Sequence, residues 1–140
     1  VTWRQRLWAL VAVLVAVGVG WVWGASDRST VELARQALDD RADLAEAREF
    51  TLDARLHIIA LNFGEAATSL DAAEKTVERL QLRWRHAGQI DRAGQLEIVL
   101  SQVRDARRLA GAADRTAEDP TVQSAGLLQT LANATSPPSR

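Results

Sequence analysis

Residues 7–26 form a run of 20 consecutive uncharged residues, and no other feature limits the fold so strictly. Within it, VAVLVAVGVGWVWG alternates valine or tryptophan with mostly small residues, the period-2 pattern of a half-buried strand. A solitary strand in hydrocarbon leaves its backbone N–H and C=O groups unpaired, at several kcal/mol each, so a single spanning segment has to be helical. At about 1.5 Å rise per residue, some 20 residues match a hydrocarbon core roughly 30 Å thick. Trp3 and Trp8 flank the run on one side and Trp21 and Trp23 on the other, where interfacial anchors sit. Arg4 and Arg6 precede it without acidic neighbours, whereas acids and bases mix from Asp27 onward. The positive-inside rule therefore puts residues 1–6 in the cytoplasm and those from about 26 outside.

The expectation is a single-pass transmembrane helix over residues 7–25, N-terminus in, with the lipid bilayer as its first partner. All 17 basic residues except Lys75 are arginine and alanine is abundant, which fits GC-rich bacterial coding; Val1 fits a GUG start. The expected location is thus a bacterial inner membrane with a periplasmic or extracytoplasmic C-terminal part. A cleaved signal peptide shares the basic and apolar regions, with Val22-Trp23-Gly24 before Ala25 as its site. The bulky Trp21 and Trp23 and the full length of the run favour a retained anchor. Wound onto a helix, Ala12, Ala16, Gly20 and Gly24 recur every four residues on one face, a small-xxx-small ladder suited to close helix pairing.

Beyond Ser29, which forms a capping-box spacing with Glu32, helical periodicity continues to Asp119 and strand signals are absent. Val31, Leu38, Ala45, Leu52 and Ile59 repeat every seven residues, joined by Leu56 and Phe63, predicting a first helix over 28–62. Its early half is thin, since Arg41 and Arg48 sit beside the seam and would snorkel, so it reads as a stalk. A second helix over 65–87 carries Ala66, Leu70, Ala73, Val77, Leu80, Trp84 and Ala87 in alternating steps of four and three, a coiled-coil-like packing seam. Gly64 is its expected turn residue and Gly88 its C-cap. A third helix over 91–117 starts at Asp91 and presents Leu96, Val99, Val103, Ala106, Ala110 and Ala113 on one stripe. Asp119-Pro120 opens a fourth over 120–133 with Val122, Ala125, Leu128 and Leu131, and 135–140 is a tail. The fold class is all-α: one N-terminal transmembrane helix, a long stalk helix and an antiparallel three- to four-helix bundle, together an extracytoplasmic region over 26–134.

Within residues 50–73, Phe50, Ala54 and His57, then Asn62-Phe63-Gly64-Glu65-Ala66, with Leu70 and Ala73 beyond, follow a spacing that resembles one tetratricopeptide-type helical hairpin. A step of 34 residues from Phe50 reaches Trp84, but Leu100, Arg104 and Arg107 stand where the next hairpin needs alanine, so the unit reads as a hairpin within a bundle rather than a solenoid. The stretch from Glu49 to about Leu80 also resembles HemX-like membrane proteins with one N-terminal span and a periplasmic helical region. That resemblance implies an anchored, non-catalytic helical domain.

Chemistry-bearing patterns are sparse. With no cysteine, disulfides, thiolate zinc sites and cysteine nucleophiles are excluded, as is a lipoprotein anchor. His57 and His86 fall in no metal spacing, and Asp53 with His57 supplies only two ligands one turn apart. There is no nucleophile elbow or phosphate loop, so no catalytic, cofactor or metal residue is expected, and the chain reads as a non-enzyme. The acids Asp39, Asp40, Asp43, Glu46, Glu49 and Asp53 read as a solvated face of the first helix. Arg104, Arg107, Arg108 and Arg115 on or near the third helix offer opposite charge for helix docking or an acidic partner. Without Arg4 and Arg6 the 17 basic residues become 15 against 18 acidic, a net charge of −3, which gives nucleic acid no basic footprint. The expected function is a membrane-anchored helical scaffold or interaction protein of the cell envelope, contacting another membrane protein or itself. The alternative is a sensory or regulatory subunit acting laterally through its span. Exposed Leu33, Leu44 or Leu127 would complete a dimer core.

Overall fold

The computed structural model describes residues 3–135, with side chains from Thr30 onward. Every regular element in it is helical: α1 (Trp3–Ile59), α2 (Phe63–His86), α3 (Ile90–Gly111), the short 3-10 helix Arg115–Ala117, and α4 (Glu118–Thr135). The chain divides into two units, Val1–Leu38 and Asp39–Arg140. Among the described residues no helix is long and apolar enough to cross a membrane. The expected span over 7–25, its ladder Ala12, Ala16, Gly20 and Gly24, the tryptophans 3, 8, 21 and 23, and Arg4 and Arg6 all lie outside the residues whose side chains are described. The first helix was expected to begin near 28; α1 is assigned from Trp3 without a break there.

From Asp39 onward the chain is a four-helix bundle. Side-chain bonds between α1 and α2 link Asp53 with Ser69, Glu46 with Thr76, and Asp40 with Trp84, so the two helices run antiparallel. The same reasoning from Arg104–Glu74 and Gln81–Glu97 makes α2 and α3 antiparallel. Arg55–Glu118 and Arg41–Thr135 do so for α1 and α4, and α4 also packs on α3. With connections this short, up-down-up-down order follows. The core is alanine-rich where helices meet closely: Ala47, Ala54, Ala66, Ala73, Ala93, Ala106, Ala110 and Ala117 are buried among Leu44, Leu70, Leu80, Leu96, Leu100, Val103, Leu128 and Trp84.

On α1 the buried positions are Asp40, Leu44, Ala47, Thr51, Ala54 and Ile58, alternating steps of four and three. This displaces the expected heptad stripe, whose Val31, Leu38 and Ile59 are 68, 62 and 58% exposed. The difference has a physical cause. Two positions of the true seam are polar, and each is satisfied: Thr51 Oγ1 donates to the Arg48 carbonyl at 2.8 Å, and Asp40 accepts from α2. A hydrophobic pattern counts such residues as outside, and so selected the neighbouring apolar row. Leu44, expected to be exposed, is fully buried, whereas Leu33 and Leu127 remain exposed. The stretch from Asp39 is accordingly a core element rather than part of a stalk. In α4, Val122 is exposed and Thr121 and Ser124 take buried places, donating to the carbonyls of Ala117 and Thr121.

All three turns between helices close by one device. After α2, Gly88 N–H donates to Arg85 O and Gln89 N–H to Trp84 O, with Gly88 at φ 74°, the Schellman pattern. After α1 the equivalent bonds run from Leu61 to Ile58 and Asn62 to His57; after α3, from Ala113 to Ala110 and Asp114 to Leu109. Leu61 and Ala113 hold φ 61° and 54°, left-handed values that cost an L side chain roughly 1–2 kcal/mol. Thus the α1–α2 turn centres on Leu61, while Gly64, its expected residue, already lies within α2. Similarly α3 stops at Gly111 rather than near 117, because Ala113 turns the chain and Asp114 then caps the 3-10 helix that precedes α4. Pro120 falls in the first turn of α4, where a missing N–H costs nothing. Replacing Leu61 or Ala113 by glycine is expected to raise the unfolding free energy by about 0.5–1 kcal/mol each, read from the denaturation midpoint.

Candidate functional site

Of the seam predicted on the second helix, Ala66, Leu70, Ala73, Val77, Leu80 and Trp84 are each at most 1% exposed, whereas Ala87, at the C-cap, is exposed. Trp84 closes this row and carries its densest polar contacts. Its Nε1–H donates to Asp40 Oδ2 at 2.7 Å, and Asp40 Oδ1 accepts from Arg83 Nη1 at 3.0 Å. Arg83 Nη2 reaches Asp43 Oδ2 at 2.6 Å, and Arg92 from α3 stands 5.5 Å from the Trp84 ring centroid, within cation–π range. Burial alone pulls the Arg83 pKa down, but its bonds to Asp43 and Asp40 more than offset this and the net direction is upward. Arg79 adds contacts to Glu46 at 3.2 Å and Asp43 at 3.8 Å. The acids of the first helix, expected as a solvated face, are therefore partly a docking face for α2: Asp40 is buried and Asp43 nearly so.

A second cluster joins α2 to α3. Arg104 donates to Glu74 Oε1 and Glu78 Oε1, both at 2.7 Å, and Arg107 Nη1 lies 2.7 Å from Asp71 Oδ1 and 3.0 Å from Glu74 Oε2. The bond to Glu74, then that to Glu78, raises the Arg104 pKa. The third helix's arginines thus meet acids of the second helix, while the first helix's acids meet arginines of the second. Asp53 and His57 are 3.4 Å apart, and Asp53 also accepts from Ser69 at 2.6 Å. Among the described residues no group of three or more His, Cys, Asp or Glu could hold a metal ion. His86 is exposed in the last turn of α2, where a cation suits the helix dipole.

Two carboxylates near the surface contribute to the pH response. Lys75, hydrogen-bonded to Asp71 at 2.7 Å, lowers the Asp71 pKa from its ordinary 3.8 and is itself raised above 10.5. The Thr116 backbone N–H, and next its hydroxyl, lowers that of Asp114. A depressed carboxylate stabilises fully above its unfolded pKa and loses that contribution as pH falls through its folded one; the raised lysine loses its own as pH climbs past its folded pKa. Stability should therefore hold across neutral pH and decline below about pH 4. Asp71→Asn and Asp114→Asn should flatten that decline, checked by thermal melts from pH 7 to 2.

What these ion pairs leave uncovered is the outer side of α1. Ala42, Ala45, Glu49, Leu52, Leu56 and Ile59 are exposed there, opposite the buried seam. Arg48, Glu49, Leu52, Asp53 and Leu56 line an open groove on this side. Neither Arg48 nor Glu49 has a side-chain partner among the described residues. The heptad in the sequence was a true regularity of α1, but it marks this outer row. No known protein family, curated protein or solved structure matches the chain.

Proposed function

We propose that the protein is a membrane-anchored, non-catalytic helical scaffold or interaction protein of the bacterial cell envelope. The observation that carries this reading is the pairing of a 20-residue uncharged run with a helical bundle whose outer α1 face is apolar and uncovered. On this reading residues 7–25 form a transmembrane helix with the N-terminus in the cytoplasm, flanked by its tryptophans and led by Arg4 and Arg6. The bundle stands outside, an arrangement like that of HemX-like proteins, and acts by packing against another envelope protein or a second copy. Support for a packing role comes from the charges: Asp40, Asp43, Glu46, Asp71, Glu74 and Glu78 are all engaged by arginines of neighbouring helices.

Fractionation of bacterial cells expressing the full chain tests this. Retention in membranes after alkaline carbonate extraction is expected, as is activity of a C-terminal alkaline phosphatase fusion, which works only outside. Release by carbonate, or a mature N-terminus at Ala25, overturns the anchor. Crosslinking and affinity purification from intact membranes is expected to recover a partner or a second copy; recovery of the protein alone and monomeric overturns the scaffold.

A further inference from the structure

We infer that the outer face of α1 is a parallel self-association surface, on which a second copy of this chain packs helix to helix in register. This deepens the scaffold reading by naming the partner, and it rests on that reading only in taking the bundle as an interaction module.

Leu52, Leu56 and Ile59 are 36, 66 and 58% exposed on one side of a helix whose other side is the bundle core. Taking Ala45, Leu52 and Ile59 as d positions places Ala42, Glu49 and Leu56 at a, so the row is a second seam, facing away from the first. Small residues at 42 and 45 permit close helix approach, and the larger ones at 52, 56 and 59 supply the apolar area. In the sequence the same spacing continues back through Leu38 and Val31.

Charge then selects both occupant and direction. In this register Glu46 and Asp53 fall at e, while Arg41, Arg48 and Arg55 fall at g. In a parallel pair each g residue meets the e residue of the following heptad on the other helix, so Arg48 meets Asp53 and Arg41 meets Glu46, twice by symmetry. An antiparallel pair would set arginine on arginine and acid on acid. Arg41 and Arg55 already serve the bundle, through the Thr135 carbonyl and Glu118, and Glu46 is already held by Thr76 and Arg79. Arg48 has no side-chain partner among the described residues, and the bonds to Asp53 both use Oδ2, leaving Oδ1 to accept. The Arg48–Asp53 pair is therefore the main determinant. Glu49, at an a position, lies beside Arg48 of the second copy, which offsets the repulsion of two facing acids.

Because the chain has no cysteine, single substitutions report the geometry in the full-length protein in membranes. Ala45→Cys, Leu52→Cys and Ile59→Cys are introduced one at a time and oxidised, with Leu82→Cys, exposed on α2, as control. A parallel pair crosslinks at all three positions and not at Leu82. Crosslinking at only one of the three indicates antiparallel packing and overturns the inference, as does a yield no higher than the control. Arg48→Glu in the Leu52→Cys background should weaken association on the order of tenfold. Adding Asp53→Arg should restore it; an unchanged yield on charge reversal refutes the charge pairing. Failure here with retained membrane extraction behaviour and a captured foreign partner would leave the scaffold reading standing while removing self-association.

Discussion

Trp84→Ala is expected to lower the unfolding free energy of the bundle by about 4 kcal/mol. Three losses coincide. The ring is 1% exposed and one of the largest fully buried side chains, so its removal leaves a core cavity that alanine cannot fill. The indole N–H bond to Asp40 disappears, leaving a buried carboxylate with Arg83 alone. The Arg92 contact goes too, at about 0.5–1 kcal/mol. Denaturant titration of the full chain in mild detergent, followed by circular dichroism at 222 nm, measures the sum. Trp84→Phe separates the terms: it keeps most of the apolar area and loses the N–H, so its cost should be near half. Equal losses for the alanine and phenylalanine variants would show that the polar bond, not the packing, dominates.

Asp40→Ala is expected to cost about 2–3 kcal/mol, chiefly because the Trp84 N–H is then buried without an acceptor. Arg83 contributes less to this cost, since its side chain is 40% exposed and can turn to water. Asp40→Asn, which keeps an acceptor for the indole and removes the charge, should cost only about 1 kcal/mol. Combining Asp40→Ala with Trp84→Phe removes donor and acceptor together. The double variant should then lose less than the two single losses added, by about 1–2 kcal/mol. Strict additivity would mean that the two residues stabilise the bundle independently despite their 2.7 Å contact.

These residues also mark how far the sequence could be read. The helical class, the row from Ala66 to Trp84 and the row from Leu96 to Ala110 were legible, because an uninterrupted apolar stripe at helical spacing has few other uses. The inward face of α1 was not. Its seam includes Asp40 and Thr51, whose burial depends on a partner forty-odd residues away and on a local carbonyl, neither of which periodicity registers. The turns misled for a related reason. Glycine is the usual left-handed residue, so Gly88 was expected at its turn and Gly64 at the preceding one, where the left-handed residue is Leu61 and only the surrounding bonds show the conformation. The candidate interaction face was visible as a heptad, but whether it pointed in or out needed the fold.

Asp40 has one further consequence, for motion rather than stability. Alanine and leucine rows are smooth, and one helix can slide along another by a heptad while exchanging like for like. A shift of that size along α2 would bring Ala47 or Leu33 to the place of Asp40, stranding the indole N–H in one direction of travel as in the other. The buried carboxylate thus works as a detent, reinforced at the rim by the Asp43–Arg83 and Glu46–Arg79 pairs. It permits the stretch of α1 from Asp39 onward one axial setting against α2.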